Sequence, residues 1–168
     1  YRGNMKRDQI NPHRPSGVAA WFLLWRSARL IEAHARQSVA ATGLGLSDFG
    51  VLEALLHRGP LSVGELGQRI LISSGSTTTS IDRLEQQGFV RRELAGADRR
   101  SRTVHLTDTG RSLIEAQFKV HEEDMERAFD CLSDAELTAL LPILRQLIRQ
   151  AGNLARAAEK PDAALRQD

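Results

Sequence analysis

The segment GFVRRELAGADRRSRTVHLTDTG, residues 88–110, decides the fold. It holds two runs of β-branched and apolar residues, Phe89 to Leu94 and Arg102 to Leu106, joined by a polar loop. Two such runs with a glycine-containing loop between them predict an antiparallel β-hairpin. Gly88 is placed to end a helix in the left-handed conformation, and Thr107 is placed to cap the next one. The segment is therefore predicted to be a β-hairpin between two helices.

Two short helices are predicted just before this hairpin. Ser62-Val63-Gly64-Glu65 is an S-x-x-E capping box, in which serine and glutamate satisfy each other's exposed backbone donors at a helix start. This helix runs to about Ile70, and after a turn a second helix runs from about Ser74 to Gln87. Helix, turn, helix and hairpin in this order indicate a winged helix-turn-helix, whose second helix can enter the major groove of DNA.

Helical periodicity continues on the amino-terminal side of this lobe. Apolar residues at spacings of three and four predict a long helix from Val18 to about Ala41. Ser47 is expected to cap a further helix, which Gly59-Pro60 ends.

Two more helices are predicted on the carboxyl-terminal side. Thr107 caps a helix to about Leu132, and a second capping box, Ser133 to Glu136, opens the last helix. Pro142 lies inside that last helix and is expected to kink it, because proline lacks a backbone N–H.

The predicted fold class is mainly α with a small β-hairpin wing (α+β), a winged helix-turn-helix with N- and C-terminal dimerisation helices. We predict a flexible arm over residues 1–16, a helical dimerisation region over 17–42 and 107–158, a DNA-binding lobe over 43–106 and a frayed tail over 159–168. A partner subunit would cover the apolar surfaces of the long outer helices better than the small lobe could, so a homodimer is expected. A monomeric helical bundle is the alternative.

Composition narrows the classes of function. Of the 168 residues 41% are hydrophobic and 26% charged, as in globular proteins, and no apolar run approaches the roughly 18 to 20 residues of a membrane span. We therefore expect a cytoplasmic protein without a membrane partner. Cys131 is the only cysteine, which excludes an intramolecular disulfide; a small buried side chain is expected there, and a redox sensor is the alternative.

Catalytic and metal-binding patterns are missing from the sequence. It contains no G-x-x-x-x-G-K, G-x-S-x-G or H-E-x-x-H motif, and none of its histidines forms a His-x-x-x-His pair. Neither a metal nor another cofactor is predicted.

Basic charge is concentrated around the hairpin. The whole chain has a formal charge of +2, whereas the segment from Arg58 to Arg111 has nine arginines and six acidic residues, a net charge of +3. Twenty of the 23 basic residues are arginine, whose planar fork suits phosphate and guanine. The basic excess therefore lies where a winged helix would contact DNA.

The second helix of the helix-turn-helix begins with SSGSTTT, residues 73–79, which are six hydroxyl residues in seven positions. A helix cap needs only one or two of them, and short hydroxyl side chains also let a helix approach phosphates and base edges. A solvated helix face is the alternative. The predicted DNA contacts on this helix are Ser73, Ser74, Ser76, Thr77, Thr78 and Arg83.

The loop of the hairpin carries GADRRS, residues 96–101. From the tip of a two-stranded ribbon an arginine can reach the minor groove, whose width and negative potential favour it. A solvated turn that an Asp-Arg pair stiffens is the alternative. The predicted DNA contacts of the wing are Asp98, Arg99, Arg100 and Arg102.

Two sequence segments resemble the multiple-antibiotic-resistance regulator (MarR) family. DRRSRTVHLTDTG, residues 98–110, resembles the wing-to-helix signature of that family, in which D-x-R is followed by a strand and L-T-x-x-G. IDRLEQQGFVRR, residues 81–92, is similar to the end of the family's recognition helix. The resemblance covers about residues 18–155 in element order, and it implies that Arg100 inserts into the minor groove with Asp98 as its partner.

The resemblance also implies how such a protein works. Interlocked terminal helices form an obligate homodimer, two winged lobes bind a pseudo-palindromic operator, and a small aromatic or lipophilic effector between the first, second and fifth helices alters the lobe spacing. The chain departs from the many members that begin the recognition helix with Ser-Pro, since it has Ser73-Ser74. The candidate effector-pocket residues are Trp21, Trp25, His34 and His57, with core packing as the alternative for the tryptophans.

The leading hypothesis is thus a transcriptional regulator, a ligand-responsive repressor that binds double-stranded DNA. A winged-helix protein-interaction module without DNA binding and an enzyme are the alternatives.

Overall fold

The computed structural model describes residues 15–94 and 102–158 of the chain. The described helices are α1 (Gly17–Ala40), α2 (Leu46–Arg58), α3 (Val63–Ile70), α4 (Ser74–Gln86), α5 (Asp108–Phe129) and α6 (Asp134–Ala158). The described strands are β1 (Leu61–Ser62), β2 (Val90–Leu94) and β3 (Arg102–Leu106). The predicted fold class, mainly helical with a small β wing, is confirmed. Residues 1–14 of the predicted arm and the predicted tail over 159–168 lie outside the described residues.

Capping residues set most helix boundaries where the sequence predicts them. Ser62 Oγ accepts a hydrogen bond from the backbone N–H of Glu65 at 3.3 Å, and the Glu65 carboxylate accepts one from the backbone N–H of Ser62 at 2.8 Å. Gly88 follows α4 with φ 75°, the left-handed conformation expected of it. The predicted Ser47 cap was wrong: α2 begins at Leu46 after Gly45, which makes Ser47 the second helical residue.

The wing sheet has three strands where the sequence predicted two. β3 is central, with β2 paired on one side from Val90↔Leu106 to Leu94↔Arg102 and β1 on the other at Leu61↔Val104 and Ser62↔Thr103. A two-residue strand is too short to produce an alternating pattern, so periodicity missed it. Because Ser62 both ends β1 and caps α3, the sheet is tied directly to the helix-turn-helix.

One hydrophobic core holds the lobe together. Helix α4 buries one face, whereas the buried residues of α2 lie around most of its circumference, which makes α2 the central helix of the lobe. The fully buried side chains include Phe49, Leu52 and Leu55 of α2, Leu66 of α3, Ile81 and Leu84 of α4, Val90 and Val104 of the sheet, and Ile114 of α5.

Gly110 marks a very close approach between α5 and the segment that leads into β2. A Cβ atom on Gly110 would lie 1.9 Å from the carbonyl oxygen of Phe89. That carbonyl accepts a hydrogen bond from the Thr107 backbone N–H at 3.1 Å, and the Thr107 hydroxyl donates to the Gly88 carbonyl at 2.7 Å. Thr107 Oγ1 also caps α5 by accepting from the Gly110 N–H at 3.0 Å. The T-x-x-G pattern is therefore a packing unit, in which threonine joins the two segments and glycine leaves room for them.

The chain divides into two compact units after Ala128. The first contains the lobe together with α1 and nearly all of α5. The second consists of α6 and the short segment before it; Ser133 and Glu136 form the predicted capping box, and Pro142 lies inside the helix. Among the described helices, none is long and apolar enough to cross a membrane.

Candidate nucleic-acid interface

Helix α4 is anchored to the core by one face and exposes the other. The residues of α4 that are buried are Thr77, Ser80, Ile81 and Leu84. Their spacing of three and four places them on one side of the helix, so the hydroxyl-rich run at its start is divided between the two faces.

The hydroxyl groups of the first turns bond to the helix itself. Ser73 is the N-cap, and its Oγ accepts from the backbone N–H of Ser76 at 3.2 Å. The hydroxyls of Thr77, Thr78 and Thr79 each donate to the carbonyl oxygen four residues earlier, at 2.9, 3.0 and 3.0 Å respectively. These bonds hold the threonine side chains in defined positions.

The structure corrects one predicted DNA contact on α4 and adds an exposed hydroxyl. Thr77 is fully buried, and its Oγ1 would lie 2.8 Å from a Cβ on Gly67, so it packs α4 against α3. Its assignment as a DNA contact was wrong; the spacing of Thr77 to Ile81 and Leu84 was the signal for burial. Thr79, which sequence analysis omitted, is exposed. The predicted contacts that are exposed are Ser73, Ser74, Ser76 and Thr78.

Arg83 is about half exposed on α4 and is held by a buried carboxylate. Its Nε donates to Asp48 Oδ2 at 2.8 Å and its Nη2 to Asp48 Oδ1 at 2.9 Å, while Asp48 is only 3% exposed. The hydrogen bonds that Arg83 donates to the Asp48 carboxylate, and then the negative charge of that carboxylate, raise the pKa of Arg83. Asp48 carries no functional signal in the sequence, because its partner is 35 positions away and no local pattern joins the two residues.

The arginines of β2 are paired with acidic residues. Arg92 is largely buried, and its guanidinium bonds to Asp82 and Glu85 of α4. Burial by itself lowers the pKa of Arg92, but the hydrogen bonds to these two carboxylates outweigh burial and raise it. Arg91 pairs with Glu93 on the same strand. The formal excess of positive charge around the hairpin is therefore partly neutralised within the protein.

The wing places one predicted contact within the described residues. Arg102, the first residue of β3, is exposed and has no acidic partner among residues 15–94 and 102–158. The predicted contacts Asp98, Arg99 and Arg100 belong to the loop over 95–101, which lies outside the described residues.

A cavity of about 800 Å³ lies beside the lobe, with walls from α1, α2, α5 and the end of α3. Its surface combines apolar and aromatic groups with charged ones. The lining includes Phe49, Ala54 and Ile70, the arginines Arg36, Arg58 and Arg69, the glutamates Glu32 and Glu53, and the histidines His57 and His121. His121 packs against the Phe49 ring, with centroids 4.8 Å apart, and its Nδ1 is buried without a hydrogen-bond partner among the described residues.

The four predicted effector-pocket residues do not share one site in the protomer. His57 lines the cavity, whereas His34 lies elsewhere on α1 and its Nε2 is 3.1 Å from the carbonyl oxygen of Asp124. A carbonyl oxygen only accepts, so this His34 nitrogen carries the proton. Trp21 and Trp25 are 65% and 50% exposed. Trp21, Trp25 and His34 therefore do not line this cavity in one protomer, because periodicity gives a helix's apolar face without giving what that face contacts.

The structure also bears on whether the chain could bind a metal and on where Cys131 lies. In the part of the chain that the structure describes, no three His, Cys, Asp or Glu side chains come together as a metal site. Cys131 is exposed between α5 and α6, so the expected buried position was wrong.

Comparisons with known proteins agree with this geometry. A sequence model of the MarR family matches residues 42–101. The uncharacterized HTH-type transcriptional regulator YkoM of Bacillus subtilis is 35% identical over 121 residues, 72% of this chain and 79% of YkoM. The HTH-type transcriptional regulator MhqR of the same organism is 30% identical over 127 residues, 76% of this chain and 88% of MhqR.

One solved structure has a similar fold and moderate identity. It is that of Bordetella bronchiseptica BpsR, solved in work on the regulation of its DNA binding by 6-hydroxynicotinic acid. The TM-score is 0.70 at 28% identity, over 76% of this chain and 97% of the BpsR chain.

Proposed function

This chain belongs to the MarR family of DNA-binding transcriptional regulators, and from that premise we propose that it is a homodimeric repressor that a small aromatic effector releases from a pseudo-palindromic operator. Its relatives are regulators and not enzymes, which excludes the enzyme alternative.

The outward face of α4 is the observation that carries the proposal. It exposes the short polar side chains of Ser76, Thr78 and Thr79, with Ser74 exposed in the first turn, on a helix whose opposite face is fixed in the core. Rigid attachment with a small, polar outer surface lets a helix enter the major groove and approach base edges closely. We assign α4 as the recognition helix on this basis.

The wing supplies the second DNA contact in this proposal. β2 and β3 form a ribbon that leads to the loop with Asp98, Arg99 and Arg100, and Arg102 is exposed at the start of β3. We assign Arg100 to the minor groove, where narrow width strengthens the negative potential, and Asp98 as its partner.

Dimerisation is supported by apolar surface on two helices. Val18, Trp21, Trp25 and Leu30 of α1 are each at least 50% exposed. Helix α6 has no buried residue, and Ile143, Ile148 and Leu154 are more than half exposed along it. Apolar patches of this kind mark interaction surfaces, and a second copy of the chain is the occupant that we propose, because two-fold dimers present two lobes to a pseudo-palindrome.

The effector is assigned to the 800 Å³ cavity. Its size and mixed lining suit a small aromatic molecule, whose ring would pack on Phe49 and Ile70. Arg58 and Arg69 have no carboxylate partner among the described residues, so they suit an acidic substituent. BpsR, whose DNA binding is regulated by 6-hydroxynicotinic acid, makes that compound the first one to test.

Fluorescence anisotropy with a labelled duplex from the promoter of the protein's own gene tests the DNA-binding part. We expect affinity to fall steeply with salt concentration, because neutralised phosphates release counterions. Arg100→Ala should weaken specific binding about tenfold, the order expected for one groove contact. Arg149→Ala removes the same charge from the exposed polar side of α6 and is the matched control, for which affinity should stay at the wild-type value. Equal affinities of the two variants would reject the wing assignment.

Thermal shift tests the effector part. A ligand that binds only the folded state at one hundred times its Kd stabilises by about 2.7 kcal/mol, a shift that is readily measured. 6-Hydroxynicotinic acid, substituted benzoates and phenols are the compounds to screen, and an active compound should also release the duplex. A screen in which no compound changes either quantity would instead indicate a constitutive DNA binder.

A further inference from the structure

We propose that Arg83 recognises a guanine, and that Asp48 is the positioning residue that aims its guanidinium at the base. The proposal rests on the assignment of α4 as the recognition helix. It adds a residue with a stated preference for guanine to the exposed hydroxyl side chains at the start of α4.

Arg83 is held from one side only. Asp48 occupies Nε and one proton of Nη2, the lateral edge of the planar guanidinium. The end of the guanidinium, formed by Nη1 and the second Nη2 proton, has no partner among the described residues, and the side chain is 51% exposed. A pair of parallel N–H donors is therefore left at the end of the side chain.

Asp48 is a firm support for this arrangement. Its side chain is 4% exposed, and within the described part of the chain Arg83 is the only side chain that bonds to it. A buried carboxylate that lost its partner would be strongly destabilised, so the pair stays together when DNA approaches. Two hydrogen bonds to a fixed carboxylate also remove rotational freedom from the guanidinium before binding, which lowers the entropy cost of the contact.

The chemistry of the free end favours a base over a phosphate. Guanine presents two acceptors, O6 and N7, side by side in the major groove, and a pair of parallel arginine N–H groups matches them. A phosphate also accepts two hydrogen bonds, but its attraction depends on net positive charge, which the buried carboxylate of Asp48 offsets. The adjacent exposed positions Thr79 and Asp82 place Arg83 on the border of the outward face of α4.

Selection of operators from a randomised duplex library tests the proposal. Wild-type protein should select a G·C pair at one position of each half-site. Asp48→Asn with Arg83→Gln replaces the ion pair by two amides of similar shape, and this double variant should lose that preference and keep the others. Arg149→Ala is the charge control and should select the wild-type operator.

A single-atom change in the DNA gives the decisive readout. Replacing the selected guanine by 7-deazaguanine removes N7, and we expect wild-type affinity to fall about fivefold, an effect of one lost hydrogen bond to a charged group. Asp48→Asn alone should reduce that sensitivity, because Arg83 is no longer aimed, and the double variant should not respond. A merely structural role for the pair would lower thermal stability without changing the response to 7-deazaguanine.

Three results of the selection and binding experiments would contradict the assignment of Arg83 to a guanine. If the double variant binds every duplex more weakly and its salt dependence becomes shallower, Arg83 contacts a phosphate. If selection yields an operator but the double variant keeps the G·C preference, the guanine assignment is wrong while the proposed function stands. If no duplex is selected by wild-type protein at low salt, the proposed function itself fails.

Discussion

Gly110→Ala should destabilise the protein by about 3 kcal/mol, although alanine is the better helix former. The new Cβ would lie 1.9 Å from the Phe89 carbonyl oxygen, 2.7 Å from its carbonyl carbon and 3.0 Å from its Cα, so backbone must move. Overpacking of this kind costs about 1 to 3 kcal/mol, here at the upper end because no side chain can yield. Moving the segment also weakens the two hydrogen bonds of Thr107 to Phe89 and Gly88, by about 1 kcal/mol in total, which offsets the gain of about 1 kcal/mol in helix propensity.

Urea unfolding followed by circular dichroism measures this effect. Every variant is measured at one protein concentration, because the stability of the proposed dimer would depend on concentration. Gly64→Ala is the matched control: it lies in α3, a Cβ there would meet nothing within 4 Å, and its φ is negative. We expect that control to gain about 0.4 to 1 kcal/mol by restricting the unfolded chain. If Gly110→Ala unfolds at the wild-type midpoint or above it, the close approach of α5 to Phe89 does not exist in solution.

Three further predictions concern the cap, the dimer surface and α4. Hydrogen bonds from the N-cap serine lower the pKa of Glu65 in the folded protein. The ionised Glu65 carboxylate therefore stabilises the fold at a pH above its ordinary pKa of 4.5, and this stabilisation is lost as the pH falls through the lower pKa of the folded state. Thermal melts from pH 7 to pH 3 should therefore show a smaller loss of stability for Glu65→Gln than for wild type, and parallel curves would contradict this. Trp21→Glu should dissociate the proposed dimer in sedimentation experiments, since it places a carboxylate in an apolar interface, whereas Gln37→Glu at an exposed position of the same helix should not. Thr77→Val should lower stability by about 1 kcal/mol through its lost hydrogen bond and leave the DNA affinity of the folded protein unchanged. Thr78→Val, at an exposed position, should lower the DNA affinity and change stability less. Equal effects of the two variants on anisotropy would contradict the division of α4 into a buried and an exposed face.

Features with a local signal were predictable from the sequence. The capping box at Ser62 and Glu65 and the left-handed Gly88 depend on residues at most three positions apart, and both were correct. The same holds for β3, whose boundaries at Arg102 and Leu106 match the prediction. Each case depends on backbone groups that only certain neighbouring side chains can satisfy.

Features that depend on tertiary contacts were not predictable. β1 exists because its two residues pair with residues of β3 that lie 41 and 43 positions later, and the bond between Asp48 and Arg83 joins residues 35 positions apart. The cavity draws its lining from four helices, so the arginines that line it carry no shared pattern in the sequence. Thr77 was misassigned for a different reason, because its polar hydroxyl favoured a DNA contact although its spacing to Ile81 and Leu84 indicates an inward position.

The hydroxyl bonds at the start of α4 limit which chemical groups its outer surface can recognise. The hydroxyl groups of Thr78 and Thr79 each donate their only proton to a carbonyl oxygen of the helix, so they can act toward DNA only as hydrogen-bond acceptors. Phosphate oxygens, guanine O6 and thymine O4 are acceptors and gain nothing from such a surface, whereas the amino groups of adenine and cytosine are donors and can bond to it. If Thr78 and Thr79 contact bases as proposed, the internal bonding of the helix makes them selective for exocyclic amines. Purine substituted for a contacted adenine, which removes that amine, should then weaken binding at these positions alone.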